Sequence, residues 1–262
     1  MKKVKSPLRY PGGKSRAVKI ITNLIPEKED TLISPFFGGG SIELECAQNN
    51  KIVKGYDNFL PLTDFWEQLI NNNINLAKEI QKYYPLSKED FYKLQKSQFN
   101  NLSKLERAAI FYVLNRSSFS GSTLSGGMSP NHPRFTTSSI QRIIDFKIKN
   151  LTVENKSFED SIKENTGRFF YLDPPYIIKN YLYGNRGDNH KGFNHLLLKD
   201  ILDNEEKWIM SYNNSEEVLD LYSSYYITYP DWKYGMSKNK DSKEVLIFSK
   251  AIEKILKKEN KI

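Results

Sequence analysis

The sequence predicts a doubly wound α/β fold with a mostly parallel sheet, and three observations lead there. Short apolar segments recur along the chain with helical patterns between many of them, the alternation that builds parallel sheets. Two of these segments run straight into unusual turns, "SPFFGGGSIE" (34–43) and "FFYLDPPY" (169–176). A central stretch, 62–150, interrupts the alternation and reads as an insertion. The sheet domain is then 1–61 and 151–262.

Along the chain, "RYPGGKS" (9–15) comes first and opens a helical pattern from Ser15 to Leu24. It looks like the end of a phosphate loop, G-x-x-x-x-G-K-[ST], but Leu8 stands where the first glycine belongs and no apolar strand precedes it. An ATPase reading is therefore weak. Glycines before a helix start still leave N–H groups that attract an anion, and Lys14 adds positive charge. A carboxylate suits this cradle as well as a phosphate.

"TLISPF" (31–36) reads as the first strand, "SIELECAQN" (41–49) as a helix and "KIVKGYD" (51–57) as the second strand. Gly38 and Gly40 let a ligand approach the backbone, and Asp57 lies 19 residues beyond Gly38. An acid about 20 residues after such a turn binds ribose hydroxyls. The alternative is a tight turn with Asp57 solvated.

From Leu62 to Ile144 no buried strand is evident; 62–82 and 104–116 look helical. "NRSSFSGSTLSGGMSPNHPRFTTSS" (115–139) follows, rich in Ser, Gly and Pro. Asn115, Arg116, Phe119, Arg134 and Arg142 are interleaved with small polar residues, the chemistry of a surface that meets phosphates and base edges. Taken singly, each arginine also reads as a solvated surface charge.

The alternation then resumes. "LTVENKSF" (151–158), "RFFYLD" (168–173) and "KWIMSY" (207–212) read as strands. "FNHLLLKDILDN" (193–204) and "SEEVLDLYSSY" (215–225) read as helices, the second capped by Ser215. "YYITYP" (225–230) and "EVLIFS" (244–249) have no helical pattern between them and are expected to pair antiparallel. In "DPPY" the prolines stiffen the loop and hold the Pro174 carbonyl outward beside Asp173. Two adjacent acceptors suit an amino group with two N–H bonds, and Tyr176 offers a flat face on which a base stacks.

Composition sets the partners. The 262 residues carry a net charge of +8, which favours nucleic acid. Cys46 is the single cysteine, so no internal disulfide forms and a reducing compartment fits. No signal-peptide pattern and no apolar run of about 18 residues occurs, so the expected location is the cytoplasm, with no membrane contact. His190 and His195, without a cysteine partner, make a poor metal site, and no metal is expected. The basic "KKENKI" reads as a frayed helix end.

"RYPGGKS", "FFGGGS", "YDN" and "DPPY", in this order, resemble the Dam-like (D12 class, alpha-group) DNA adenine-N6 methyltransferases. "LNRSSFSG" (114–121) resembles the start of that family's recognition region, and "MSYNN" (210–214) and "EVLIFS" its closing strands. The resemblance implies a Rossmann-like methyltransferase fold, S-adenosylmethionine as cofactor and site-specific methylation of adenine N6 in double-stranded DNA after base flipping. It places Tyr10 and Lys14 against the cofactor, with the glycine–lysine cradle facing its methionine carboxylate. Phe36, Gly38 and Gly40 lie beneath the cofactor, and Asp57 meets its nucleoside. Phe158 packs on the cofactor adenine or is a core residue. Asp173, the Pro174 carbonyl and Tyr176 hold the target base. Asn115, Arg116 and Arg134 contact DNA, and Phe119 wedges into the base stack. A restriction endonuclease of the same system is an implied companion.

Two features depart from the family pattern: Ser34 stands where many members have an acid, and no β-rich hairpin is evident in "STLSGGMSPNHPRF". Competing readings are a cytosine-N4 or RNA base methyltransferase and a catalytically silent DNA-binding protein. A cytosine-C5 enzyme needs a nucleophilic cysteine, whereas Cys46 reads as a buried small residue.

Overall fold

The computed structural model describes residues 4–129, 134–177, 193–230 and 244–262. Its strands are β1 (Thr31–Ser34), β2 (Ile52–Asp57), β3 (Leu151–Asn155), β4 (Phe169–Leu172), β5 (Trp208–Asn213), β6 (Tyr226–Thr228) and β7 (Glu244–Phe248). Its α-helices begin with α1 (Val18–Leu24), α2 (Ser41–Gln48), α3 (Leu60–Asn71), α4 (Asn73–Gln81), α5 (Lys88–Gln95) and α6 (Lys104–Ser117). They continue with α7 (Thr137–Ile144), α8 (Phe158–Glu164), α9 (His195–Leu202), α10 (Glu216–Leu221) and α11 (Lys250–Lys258). These strands belong to a seven-stranded, mostly parallel sheet, so the α/β class read from the sequence holds. The chain divides into two compact units, one of residues 1–13 and 37–156, the other of 14–36 and 157–262.

In the first unit β2 and β3 pair in parallel, Val53 opposite Leu151 and Asp57 opposite Asn155. Helix α3 covers them with Leu62, Phe65, Trp66 and Leu69, all fully buried. The Trp66 indole N–H reaches the Gly38 carbonyl at 3.0 Å, tying α3 to the glycine turn. Helix α6 is buried from Ala108 to Asn115 and starts at a capping box of Ser103 and Glu106. The Phe65 and Tyr112 rings stack at 5.3 Å, joining α3 to α6. The helical stretch read over 62–82 divides at Asn72 into α3 and α4. Helices α5 and α7 were not legible in advance. The first is short and polar around one buried residue, Phe91, and the second is a short helix that buries Ile140 and Ile143 behind its Thr136 cap.

The second unit holds β1, β4, β5, β7 and β6, hydrogen-bonded in that order. β1, β4 and β5 are parallel; β7 runs antiparallel to β5 and to β6. Every residue of β4 and β7 is buried, and all but Glu244 at the head of β7 are apolar. The expected antiparallel pair is β6 with β7, Ile227 opposite Ile247. β1 and β4 are neighbours although β2 and β3 come between them in the chain. Ligands of open α/β sheets bind at the carboxyl ends of strands where the order switches in this way. The strand read over 151–158 stops at Asn155, because Ser157 caps α8 and Phe158 begins that helix. Ser215 does stand at the N-cap of α10, but its side chain makes no capping bond. No helix among the described residues is long and apolar enough to cross a membrane.

Candidate active site

In the second unit, the chemistry gathers where β4 and β5 end and β7 begins. Asp173 follows β4 directly. Lys14, only 4% exposed, sets its ammonium 2.7 and 2.8 Å from the two Asp173 carboxylate oxygens. The same nitrogen donates to the Tyr176 hydroxyl at 2.8 Å and lies 3.4 Å from a Glu244 oxygen. Tyr176 in turn donates to the Glu244 carboxylate. Burial raises the Asp173 pKa above the usual carboxylate range; Lys14 opposes that rise and Glu244 adds to it. Pro174 is buried beside this group.

The loop after β4 is held from two sides. Asn213, the last residue of β5, accepts from the Ile177 N–H at 3.1 Å and donates to the Ile177 carbonyl at 2.9 Å. The Tyr176 ring stacks on Tyr212 at 5.9 Å and 24°. Tyr212 shares a hydrogen bond with His195 Nδ1, so this histidine has a local partner at the start of α9. His190 lies outside the described residues.

Three aromatic rings meet beside β1. Phe36 and Phe158 stack at 5.7 Å and 27°, and Phe193 touches both, at 5.6 and 5.1 Å. Phe158 is 9% exposed, while Phe36 and Phe193 are half-buried.

The first unit carries the glycine turn and the arginines. Gly38 and Gly40 have φ of +48° and +66°, and a Cβ at Gly38 would stand 2.9 Å from the Tyr10 ring. Glycine is required there by both the backbone and the close approach of Tyr10. The Asp57 carboxylate accepts from the N–H groups of Gly38 and Phe59, each at 3.0 Å. Burial raises the Asp57 pKa, and these backbone bonds oppose the rise. Cys46 is buried in α2, and burial pushes its thiol up to about 12, so it is no nucleophile near neutral pH.

Asn115 is 1% exposed. Its carbonyl accepts from the Arg9 N–H at 2.9 Å, and its amide donates to the Arg9 carbonyl, the Gly121 carbonyl and the Thr123 hydroxyl. Arg116 donates to the carbonyls of Arg134 and Pro7. Burial lowers the Arg116 pKa, and the neighbouring charges of Arg142, Arg9 and Arg134 lower it further. These four arginines therefore form one cationic cluster. Phe119 is 63% exposed beside it in sequence, at the start of a short turn where Ser120 has φ 54°.

The structure thus gathers Lys14, Asp173 and Tyr176 in one network, joins Phe36 to Phe158, and sets Tyr10 on the Gly38 turn held by Asp57. Sequence reasoning missed Glu244, Asn213, Phe193 and Arg9. Glu244 has one weak signal, a carboxylate opening the apolar run "EVLIFS", and Arg9 sits inside the quoted "RYPGGKS".

Comparison with known proteins fits this geometry. Residues 10–236 match the family model of the D12 class N6 adenine-specific DNA methyltransferases, and the chain belongs to that family. It is similar to the type II methyltransferase M1.LlaDCHI of Lactococcus lactis subsp. cremoris, 25% identical over 84% of each chain. It is 22% identical to the type II methyltransferase M.CviBI of Paramecium bursaria Chlorella virus NC1A, over 88% of this chain and 91% of that one. A DNA adenine methylase of Haemophilus influenzae is 29% identical over 44% of this chain and 41% of its own. The protein is an N6 adenine-specific DNA methyltransferase and uses a methyl donor.

Proposed function

We propose that the methyl donor is S-adenosylmethionine, and that the target adenine leaves the duplex to meet Asp173, the Pro174 carbonyl and Tyr176. The observation that carries this reading is the Asp173 network. It is a carboxylate at the carboxyl end of a strand, kept in place by Lys14 and followed at once by two prolines and a tyrosine.

The residues present suit the donor. Phe36 and Phe158 offer flat apolar faces for an adenine ring. The Gly38–Gly40 turn gives its backbone room, and Tyr10 lines it. The Asp57 oxygens hold two backbone N–H groups and keep lone pairs for ribose hydroxyls. Lys14 is bound to the protein's own Asp173 at 2.7 and 2.8 Å and steadies that acceptor. S-adenosylmethionine supplies a methyl group on a sulfonium, activated for in-line displacement.

The chain's own residues do the rest. The adenine N6 lone pair is delocalised into the ring, so the amine is a poor nucleophile. Hydrogen bonds from N6–H to Asp173 and the Pro174 carbonyl localise density on nitrogen. Lys14 touches both Asp173 oxygens, but a carboxylate has about four acceptor sites, so an amine hydrogen still fits. Tyr176 fixes the ring by stacking. Positioning and electrostatics supply most of the rate.

The target atom is out of reach inside a duplex, so the base flips out. We assign target recognition to 62–150. Arg116 and Arg134 contact DNA directly and Phe119 enters the base stack. Asn115 serves the same surface from beneath, by fixing Arg9 and the turn after Phe119. We place the protein in the cytoplasm beside a type II restriction endonuclease, on the strength of the type II names of two similar proteins and of a single cysteine.

The test is direct. Purified protein, S-adenosylmethionine and unmethylated DNA are incubated, and the digested nucleosides are read by mass spectrometry. N6-methyladenine from wild type and none from Asp173→Ala is the expected result. Full activity in Asp173→Ala, or no methylated base on any DNA, overturns the reading.

A further inference from the structure

Glu244 is a buried carboxylate, 5% exposed, at the head of a strand that is otherwise apolar. A charge in such a place is costly unless it is paired. This one accepts from the Tyr176 hydroxyl and lies 3.4 Å from the Lys14 ammonium. Its cross-strand partner is Asn213, whose amide grips Ile177 by both backbone groups. The end of the β5–β7 pairing therefore holds the DPPY loop at two adjacent residues, one by its backbone and one by its hydroxyl.

We propose that Glu244 is a positioning residue for methyl transfer, holding the Tyr176 ring in place and sharing the charge of Lys14 with Asp173. The role rests on the reading of Asp173 as acceptor of the N6 amino group. Lys14 lies 2.7 Å from Asp173 and 3.4 Å from Glu244, so the two carboxylates share its charge and Asp173 keeps more of its own for the N6 amino group. Among the described residues, the titratable groups around Asp173 are Lys14 ahead of α1, Tyr176 on its own loop and Glu244 on β7. Behind Tyr176 come Tyr212 of β5 and His195 of α9.

Glu244→Gln removes the charge and keeps the shape; Glu244→Asp keeps the charge and shortens the reach. Two readouts are taken. The first follows the Asp173 carboxyl by 13C NMR titration in ligand-free protein, assigned with Asp173→Asn. Because Glu244 raises the Asp173 pKa, Glu244→Gln is expected to move that titration to lower pH. Glu244→Asp is expected to leave it near wild type. The second readout is steady-state methylation against pH. Glu244→Gln is expected to lower kcat about 10- to 100-fold, with KM for DNA changed less than about threefold and the acid limb moved to lower pH.

An unmoved titration together with an unmoved acid limb overturns the role, whatever happens to kcat. Should Glu244→Gln not fold, Glu244→Asp decides: lowered kcat with the acid limb in place supports the role, and wild-type kcat overturns it. Wild-type protein that forms no N6-methyladenine overturns the functional reading instead, and the ligand-free titration separates that failure from this one.

Discussion

Lys14 was expected to face a ligand's carboxylate, and in this structure it binds the protein's own carboxylate at Asp173. A buried ammonium needs such a partner, and Asp173 supplies it. Asn115 shows a similar economy. Its side chain joins the Arg9 backbone to the 121–123 turn, two segments more than 100 residues apart in the chain. Asn115→Ala removes these bonds and leaves backbone groups of Arg9 unpaired. A loss of about 2–3 kcal/mol of stability in urea unfolding is expected, with weaker DNA binding. Asp173, Lys14, Tyr176, Gly38 and Asp57 were legible because each stands in a short motif with its own local logic. Glu244 was not, because its meeting with Tyr176 spans 68 residues and depends on the register of β7.

The strands and most of the helices around them were legible from apolar runs separated by caps and turns. What escaped was helical structure without a strong apolar stripe, as in α5, or helices announced only by a cap, as in α8. Caps also carry stability. Ser249 heads α11, accepts from the N–H groups of Ile252 and Trp208, and donates to the Glu206 carbonyl at 2.6 Å. It thus ties the helix to the loop before β5. Ser249→Ala is expected to cost about 1–2 kcal/mol in urea unfolding, more than an exposed cap, because the hydroxyl is 2% exposed and serves three groups.

Across the whole molecule, charge is the property that meets DNA. A net +8 gives a long-range attraction that salt weakens. Each arginine on a phosphate adds about 0.9 to the slope of log affinity against log salt. Arg134→Gln is therefore expected to flatten that slope by about 1, measured by fluorescence anisotropy on a short duplex. An unchanged slope would remove Arg134 from the DNA contacts.

β7 sits between β5 and β6, yet among the described strands it comes last in the chain. On the ribosome, β6 emerges before β7, with which it pairs, and β5 waits with an open edge. Only when residues 244–248 leave the exit tunnel can the edge close and Glu244 reach Tyr176. The nascent chain thus carries Lys14 and Asp173 long before the carboxylate that completes their group, and a chain stopped short of β7 keeps a bare strand edge for chaperones and proteases to recognise.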